Sequence, residues 1–160
     1  MIKLPRIVAI ISIVAGAIFM VLGVIVYYMV HDQLADENIV VSDDADRFAG
    51  EPVEGPFTAY EQADVIKEHA LEIGGGKTYA ELPQDDPTRD TVMDASFLRA
   101  SLFTSVVAFG VAALVVALGI MFVLFGLALL GILRRLDATT PTAAVVEDAP
   151  PDAAPTVAIT

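Results

Sequence analysis

Two stretches of this chain contain no aspartate, glutamate, lysine, arginine or histidine: Ile7 to Val30, 24 residues, and Leu102 to Leu133, 32 residues. At about 1.5 Å of rise per helical residue the first reaches roughly 36 Å and the second more than 40 Å, against a hydrocarbon core of about 30 Å. Helices satisfy their own backbone groups, so each stretch is expected to cross a bilayer as a helix. The fold class expected is an all-α membrane protein: two transmembrane helices packed as an antiparallel hairpin, with a small, mainly helical acidic domain between them. The boundaries read as a short N-terminus over 1–6, a first span over 7–30, the acidic domain over 31–101, a second span over 102–133 and a disordered tail over 134–160.

Flanking charge sets the orientation, because lysine and arginine beside a span are retained in the cytoplasm. Lys3 and Arg6 precede the first span, and Arg134 and Arg135 follow the second. Both termini are therefore expected in the cytoplasm of a plasma-membrane protein, with 31–101 extracytoplasmic. That segment holds 17 acidic residues and five basic ones (Arg47, Lys67, Lys77, Arg89, Arg99), a net charge of −12, while the remainder balances at four against four. A field of that sign repels nucleic acid and anionic lipid headgroups. The first span is longer than the apolar region of a secretory signal and lacks a small-residue cleavage pattern before His31, so it reads as an uncleaved anchor. Tyr27 and Tyr28 suit the outer headgroup level, rings inward and hydroxyls wet. The chain has no cysteine, which removes disulfides as a source of stability and leaves docking on the spans and on partners.

The acidic segment has a readable order. Thr58 and Glu61 have the spacing of a capping box, which places a helix start at Thr58. Ala59, Ala63, Ile66, Ala70 and Ile73 then recur at helical steps on one face, and Gly74-Gly75-Gly76 ends the helix. Asn38 to Ser42 reads as a short strand or extended lead, and Gly50 to Pro56 as a loop. Asp86-Pro87 has the form of a cap followed by proline at the first helical position. From there a helix is expected to run into the second span, or to break once between Asp94 and Ser96. The Ala-, Pro- and Thr-rich tail beyond Leu136 has little to bury, and its threonines are potential phosphorylation sites.

Small residues inside the spans fall at intervals of seven: Ala9, Gly16 and Gly23 in the first, Ser105, Ala112, Gly119 and Gly126 in the second. In lipid no hydrophobic effect draws helices together, so small residues that admit close backbone approach mark a packing seam. A step of seven stays in line along a left-handed crossing. The two seams are expected to face each other, or one of them to bind another subunit. Ser12, Thr104 and Ser105 are the polar side chains of the spans besides the tyrosines. With no intramembrane charge, transport of ions or protons is disfavoured.

The catalytic and metal-binding patterns the chain suggests are incomplete. Gly76-Lys77-Thr78 resembles the end of a phosphate-binding loop, but Leu71 stands where the pattern needs glycine. Asp44 and Asp46 open like a calcium loop, yet Phe48 and Gly55 occupy ligand positions. His31 and His69 are the two histidines. His69 with Glu72 offers two ligands one turn apart, short of an iron or zinc set, and His69 reads as exposed and solvated. No cofactor is expected.

The segments GPFTAY (55–60), GGKTYAEL (75–82), DPTR (86–89) and SFLRASLFTSVVAFG (96–110) carry a family resemblance. The chain is similar to a group of small two-span membrane proteins of actinobacteria, whose members often bear the automatic label of aromatic ring-opening dioxygenase, alpha-subunit type. The resemblance implies an actinobacterial plasma-membrane protein of uncharacterised role, and its label implies an enzyme component. The residues themselves point to a non-catalytic accessory, scaffold or assembly subunit. Its acidic domain would dock on another membrane or envelope protein through Gly55, Pro56, Phe57, Thr58, Tyr60, Ile66 and Ile73. An enzyme subunit and a small homo-oligomeric channel are the alternatives.

Overall fold

A computed structural model describes residues 3–139, all-helical apart from loops and one isolated β-bridge. Three helices follow in order: α1, Lys3–Asp36; α2, Pro56–Ile73; and α3, Arg89–Thr139. Among the described residues, α1 and α3 are long and apolar enough to cross a membrane. Both pack on one another, and α2 lies along α3.

The helix α1 tolerates Pro5 because it falls in the first turn, where no intrahelical donor is lost. It continues six residues past the uncharged stretch, through His31 to Asp36, and closes where Asn38 takes a left-handed φ of 52°. Asparagine is among the residues that tolerate that region; its side-chain amide donates to the Asp36 carbonyl at 2.8 Å.

Between α1 and α2 the expected strand reduces to a single antiparallel bridge, Val40 with Pro52. Three backbone bonds frame it: Val41 N–H to Glu51 O, Gly50 N–H to Val41 O and Val53 N–H to Ile39 O, at 2.9 to 3.0 Å. The reversal needs positive φ at Phe48 and Gly50. Pro52 donates no hydrogen bond, so the pair cannot grow into a ladder.

Helix α2 starts two residues before the expected position. Gly55 is the N-cap and Pro56 the first helical residue, the place where a missing N–H costs nothing. Thr58 is therefore the third helical residue; its hydroxyl accepts from Gly55 N–H at 3.2 Å. Glu61 does not cap the helix but accepts from the Arg47 N–H at 3.0 Å, tying down the preceding loop. The glycine run ends α2: Gly75 and Gly76 have φ of +63° and +83°, and Gly76 N–H returns to Leu71 O at 2.7 Å.

Helix α3 starts at Arg89, two residues after the expected proline. Asp86 holds the entry turn, accepting from Thr88 N–H at 2.9 Å and from its hydroxyl at 2.6 Å. The helix then runs 51 residues, with no break between Asp94 and Ser96. It continues through Arg134 to Thr139, where a disordered tail was expected from residue 134; no glycine or proline follows Gly131 before Pro141 to interrupt it. The remainder of that tail lies outside the described residues.

The polar domain is seated on both long helices by one buried cluster. Leu34 of α1, Val41 and Val53 of the bridge, Ala59 and Ala63 of α2, and Leu102 and Phe109 of α3 close on one another. Gln62 is buried beside them and accepts from Ser42 N–H at 2.9 Å, so its carbonyl is satisfied within the core.

Candidate functional site

Two features of the molecule are built with enough specificity to carry a role: the α1/α3 contact and a cleft at its end. Along the contact the backbones touch. A Cβ placed on Gly16 would stand 2.5 Å from the Gly119 carbonyl oxygen, and one on Gly119 would stand 2.6 Å from that of Gly16. Gly23 meets the Ala112 carbonyl at 2.9 Å, and Gly126 meets that of Ala9 at 2.7 Å by the same measure. Each step of seven up α1 is a step of seven down α3, so the helices run in opposite directions at this contact. Ala9 and Ala112 are buried. Gly110 and Gly131 of the same helix have nothing within 4 Å of an added Cβ. Glycine in a helix costs about 1 kcal/mol relative to alanine, and only the seam positions put the missing side chain to use.

The seam's flanks add directed contacts. Ser12 is buried and donates across to the Phe122 carbonyl at 3.0 Å. Phe19 meets Phe122 edge to face at 5.9 Å between centroids, and Tyr27 meets Phe109 at 4.9 Å. Tyr27 is thus engaged with α3, while Tyr28 is 61% exposed. Arg6 and Asp137 form an ion pair at the other end. Ser105 does not extend the seam: its hydroxyl turns to the Ser101 carbonyl of its own helix at 3.4 Å, and it lines the cleft with Val30.

The cleft, about 620 Å³, opens where α1, α2 and α3 diverge. Its volume falls in the range of small-ligand pockets, about 300 to 1,000 Å³. Val30, Leu34, Ile39, Ile66, Leu98 and Leu102 form its apolar wall; Gln33, Asp36, Glu37, Gln62, Ser101 and Ser105 supply polar groups. The charged lining residues are Asp36 and Glu37, both acidic, so an anion is disfavoured there.

Of the residues expected to dock a partner, only Ile66 lines this cleft; it is half-buried. Gly55, Pro56 and Thr58 are half-buried at the start of α2. Phe57 and Tyr60 are exposed, at 75% and 51%, and Tyr60 packs edge to face on Phe103 at 5.7 Å. Ile73 is exposed at the far end of α2. The face of α2 turned inward carries Ala59, Gln62 and Ala63, so the apolar stripe points inward at its start and outward at its end. Sequence reasoning missed Phe97 and Leu98, exposed at 66% and 57% on α3. Their signal was available: two adjacent large apolar residues before the uncharged stretch.

The acidic loop is organised by single contacts. His69, expected to be solvated, bonds Asp44 at 2.6 Å, which holds the Asp44 carboxyl below its ordinary range. A lone exposed histidine has no such partner in sequence; the pairing needs the loop folded back on α2. The Thr78 N–H and then its hydroxyl lower Glu81, and the Thr88 hydroxyl and then its N–H lower Asp86. Among the described residues no three histidine, aspartate or glutamate side chains converge on a position that could hold a metal ion. No family model, curated protein or solved structure matches the chain.

Proposed function

We propose that this protein is a non-catalytic integral membrane subunit of accessory or scaffold type. Its two long helices form a glycine-packed antiparallel hairpin in the plasma membrane, and its acidic domain engages another membrane or envelope protein on the extracytoplasmic side. Support for the membrane part comes from side chains such as Ile11, Val21, Leu114 and Phe125, each more than half exposed. Apolar surface on that scale calls for lipid.

The observation that carries the docking role is the pair Phe97 and Leu98. The uncharged part of α1 ends at Val30, which shares the cleft wall with Ser105. With the hydrocarbon edge at that level, Phe97 lies eight residues, roughly 12 Å, beyond it. Acyl chains do not reach there, so Phe97 and Leu98 present apolar surface to water beside a cleft. Tyr60, by contrast, packs on Phe103, two residues from that level, where lipid headgroups would cover it. The resemblance to small actinobacterial two-span proteins fits the same role.

Photo-crosslinking in cells tests this. A photoreactive residue at Phe97 is expected to trap one discrete larger protein, and one at Tyr60 to trap lipid. An adduct at twice the chain's mass would replace the foreign partner with a second copy, and no protein adduct at Phe97 would overturn the reading. Because the chain lacks cysteine, single cysteines at Ser42 and Thr140 report the orientation: an impermeant reagent is expected to label Ser42→Cys only.

A further inference from the structure

A second recess, about 100 Å³, lies between α2, the linker after it and α3, on the other side of Ile66 from the cleft. Lys67, Lys77 and Arg99 line it, and no lining residue is acidic. Three of the five cations of a segment with 17 carboxylates thus border one small cavity. Chance placement in so acidic a domain would pair them. Among the described residues none of the three is within ion-pair distance of a carboxylate; the carboxylate contacts of the polar domain are made by His31 and His69. Lys77 attracts Glu81 and Asp86 without contacting either.

Arg99 is the most telling of the three. Its guanidinium lies 5.1 Å from the centre of the Phe103 ring, and its Nε is closed off from water with no hydrogen bond. A partly desolvated guanidinium without a counter-ion carries a cost that an anion in the recess would offset. The Thr78 N–H and hydroxyl are already taken by Glu81, so the donors available are the two ammonium groups and the Nη edge of the guanidinium. Those donors match a tetrahedral oxyanion, with the planar fork on two oxygens and the point charges on the rest.

We propose that Lys67, Lys77 and Arg99 form a binding site for a phosphate group. At about 100 Å³ the recess falls below the range of small-molecule pockets, about 300 to 1,000 Å³, and suits a compact group such as phosphate. Phosphate is available from two sources. Arg99 stands six residues, roughly 9 Å, beyond the level of Ser105, with a side chain long enough to reach back to a phospholipid headgroup; free phosphate in solution has the same chemistry. The site itself does not depend on the docking role, since it uses a different face of α2.

The test is thermal denaturation of the full chain in a neutral, phosphate-free detergent. Inorganic phosphate, dihexanoyl phosphatidylglycerol and, as a control without phosphate, dihexanoylglycerol are titrated in turn. Saturable stabilisation by phosphate or phosphatidylglycerol is expected, weakened at least about tenfold by loss of charge-assisted hydrogen bonds in Arg99→Gln and in Lys67→Gln/Lys77→Gln. Arg47→Gln removes a cation outside the recess and is expected to bind as the parent does. Lys67 and Lys77 are exposed, so the double variant reports on binding even if Arg99→Gln fails to fold. A response to phosphatidylglycerol alone identifies the lipid as the source, and a response to inorganic phosphate alone identifies the free ion. No saturable shift with either, or equal shifts in the parent and the lysine variant, would overturn the proposal.

Discussion

The α1/α3 seam and the polar domain are held together by opposite means. At the seam, stability comes from what is missing: Gly16, Gly23, Gly119 and Gly126 omit side chains so that backbones meet. In the polar domain it comes from side chains that converge from four segments, Leu34, Val41, Ala59 and Leu102 among them. The difference follows from the solvent each region is read to meet. In lipid, burying another leucine brings no hydrophobic gain, so close approach supplies the contact; in water, burying it is what stabilises. A perturbation that is mild in one region should be severe in the other.

The largest effect is expected from Gly16→Leu. Four added carbons cannot fit against a carbonyl already 2.5 Å from the Cβ position, so α1 and α3 should separate along the seam. Fluorescence transfer between dyes at Leu4 and Leu136, both exposed, should fall; unchanged transfer would mean that the seam does not set the contact. Next in size is Leu102→Ala, which removes a buried leucine from the cluster at a cost of about 2 to 5 kcal/mol. Hydrogen exchange should quicken over 39–66 while the α1/α3 transfer signal stays, and the reverse pattern would erase the distinction between the two regions.

Smaller is Ser12→Ala, which deletes the hydrogen bond to Phe122 O. Intramembrane hydrogen bonds average about 0.6 kcal/mol, and a melting-curve shift of that order is expected. Smallest is the pH response of the Asp44–His69 contact. The folded pKa of Asp44 lies below its ordinary value of 3.8, so its contribution is complete above that value. It is lost as pH falls through the lower folded pKa. Protection of the 43–50 loop should therefore drop below about pH 4 in the parent protein and be insensitive there in Asp44→Asn.

The helices were legible from the sequence because their signals are long: two uncharged runs, a glycine stop after Ile73, an unbroken stretch from Thr88. Boundaries were less so, for a local reason. Thr58 with Glu61 imitates a cap, and only Pro56 at the first helical position shows that the helix has already begun. The glycine positions could be picked out by spacing, but Gly110 and Gly131 look alike in sequence and differ only once the opposing helix is present. The two cavities were not legible at all. Ile66 lines both, with acids on one side and bases on the other, and that segregation arises from residues brought from three separate segments. His69 with Asp44, 25 positions apart, belongs to the same class of contact.

The central claim, that backbone contact at the small-residue seam holds the two long helices together, is tested most directly by one matched pair of variants in α3. Gly119→Ala and Gly110→Ala make the same chemical change in the same helix and gain the same intrinsic helix propensity. The account predicts that Gly119→Ala lowers the melting temperature in detergent, as overpacking by about 1 to 3 kcal/mol would, while Gly110→Ala leaves it unchanged or raises it slightly. Equal melting temperatures for the two variants would contradict it.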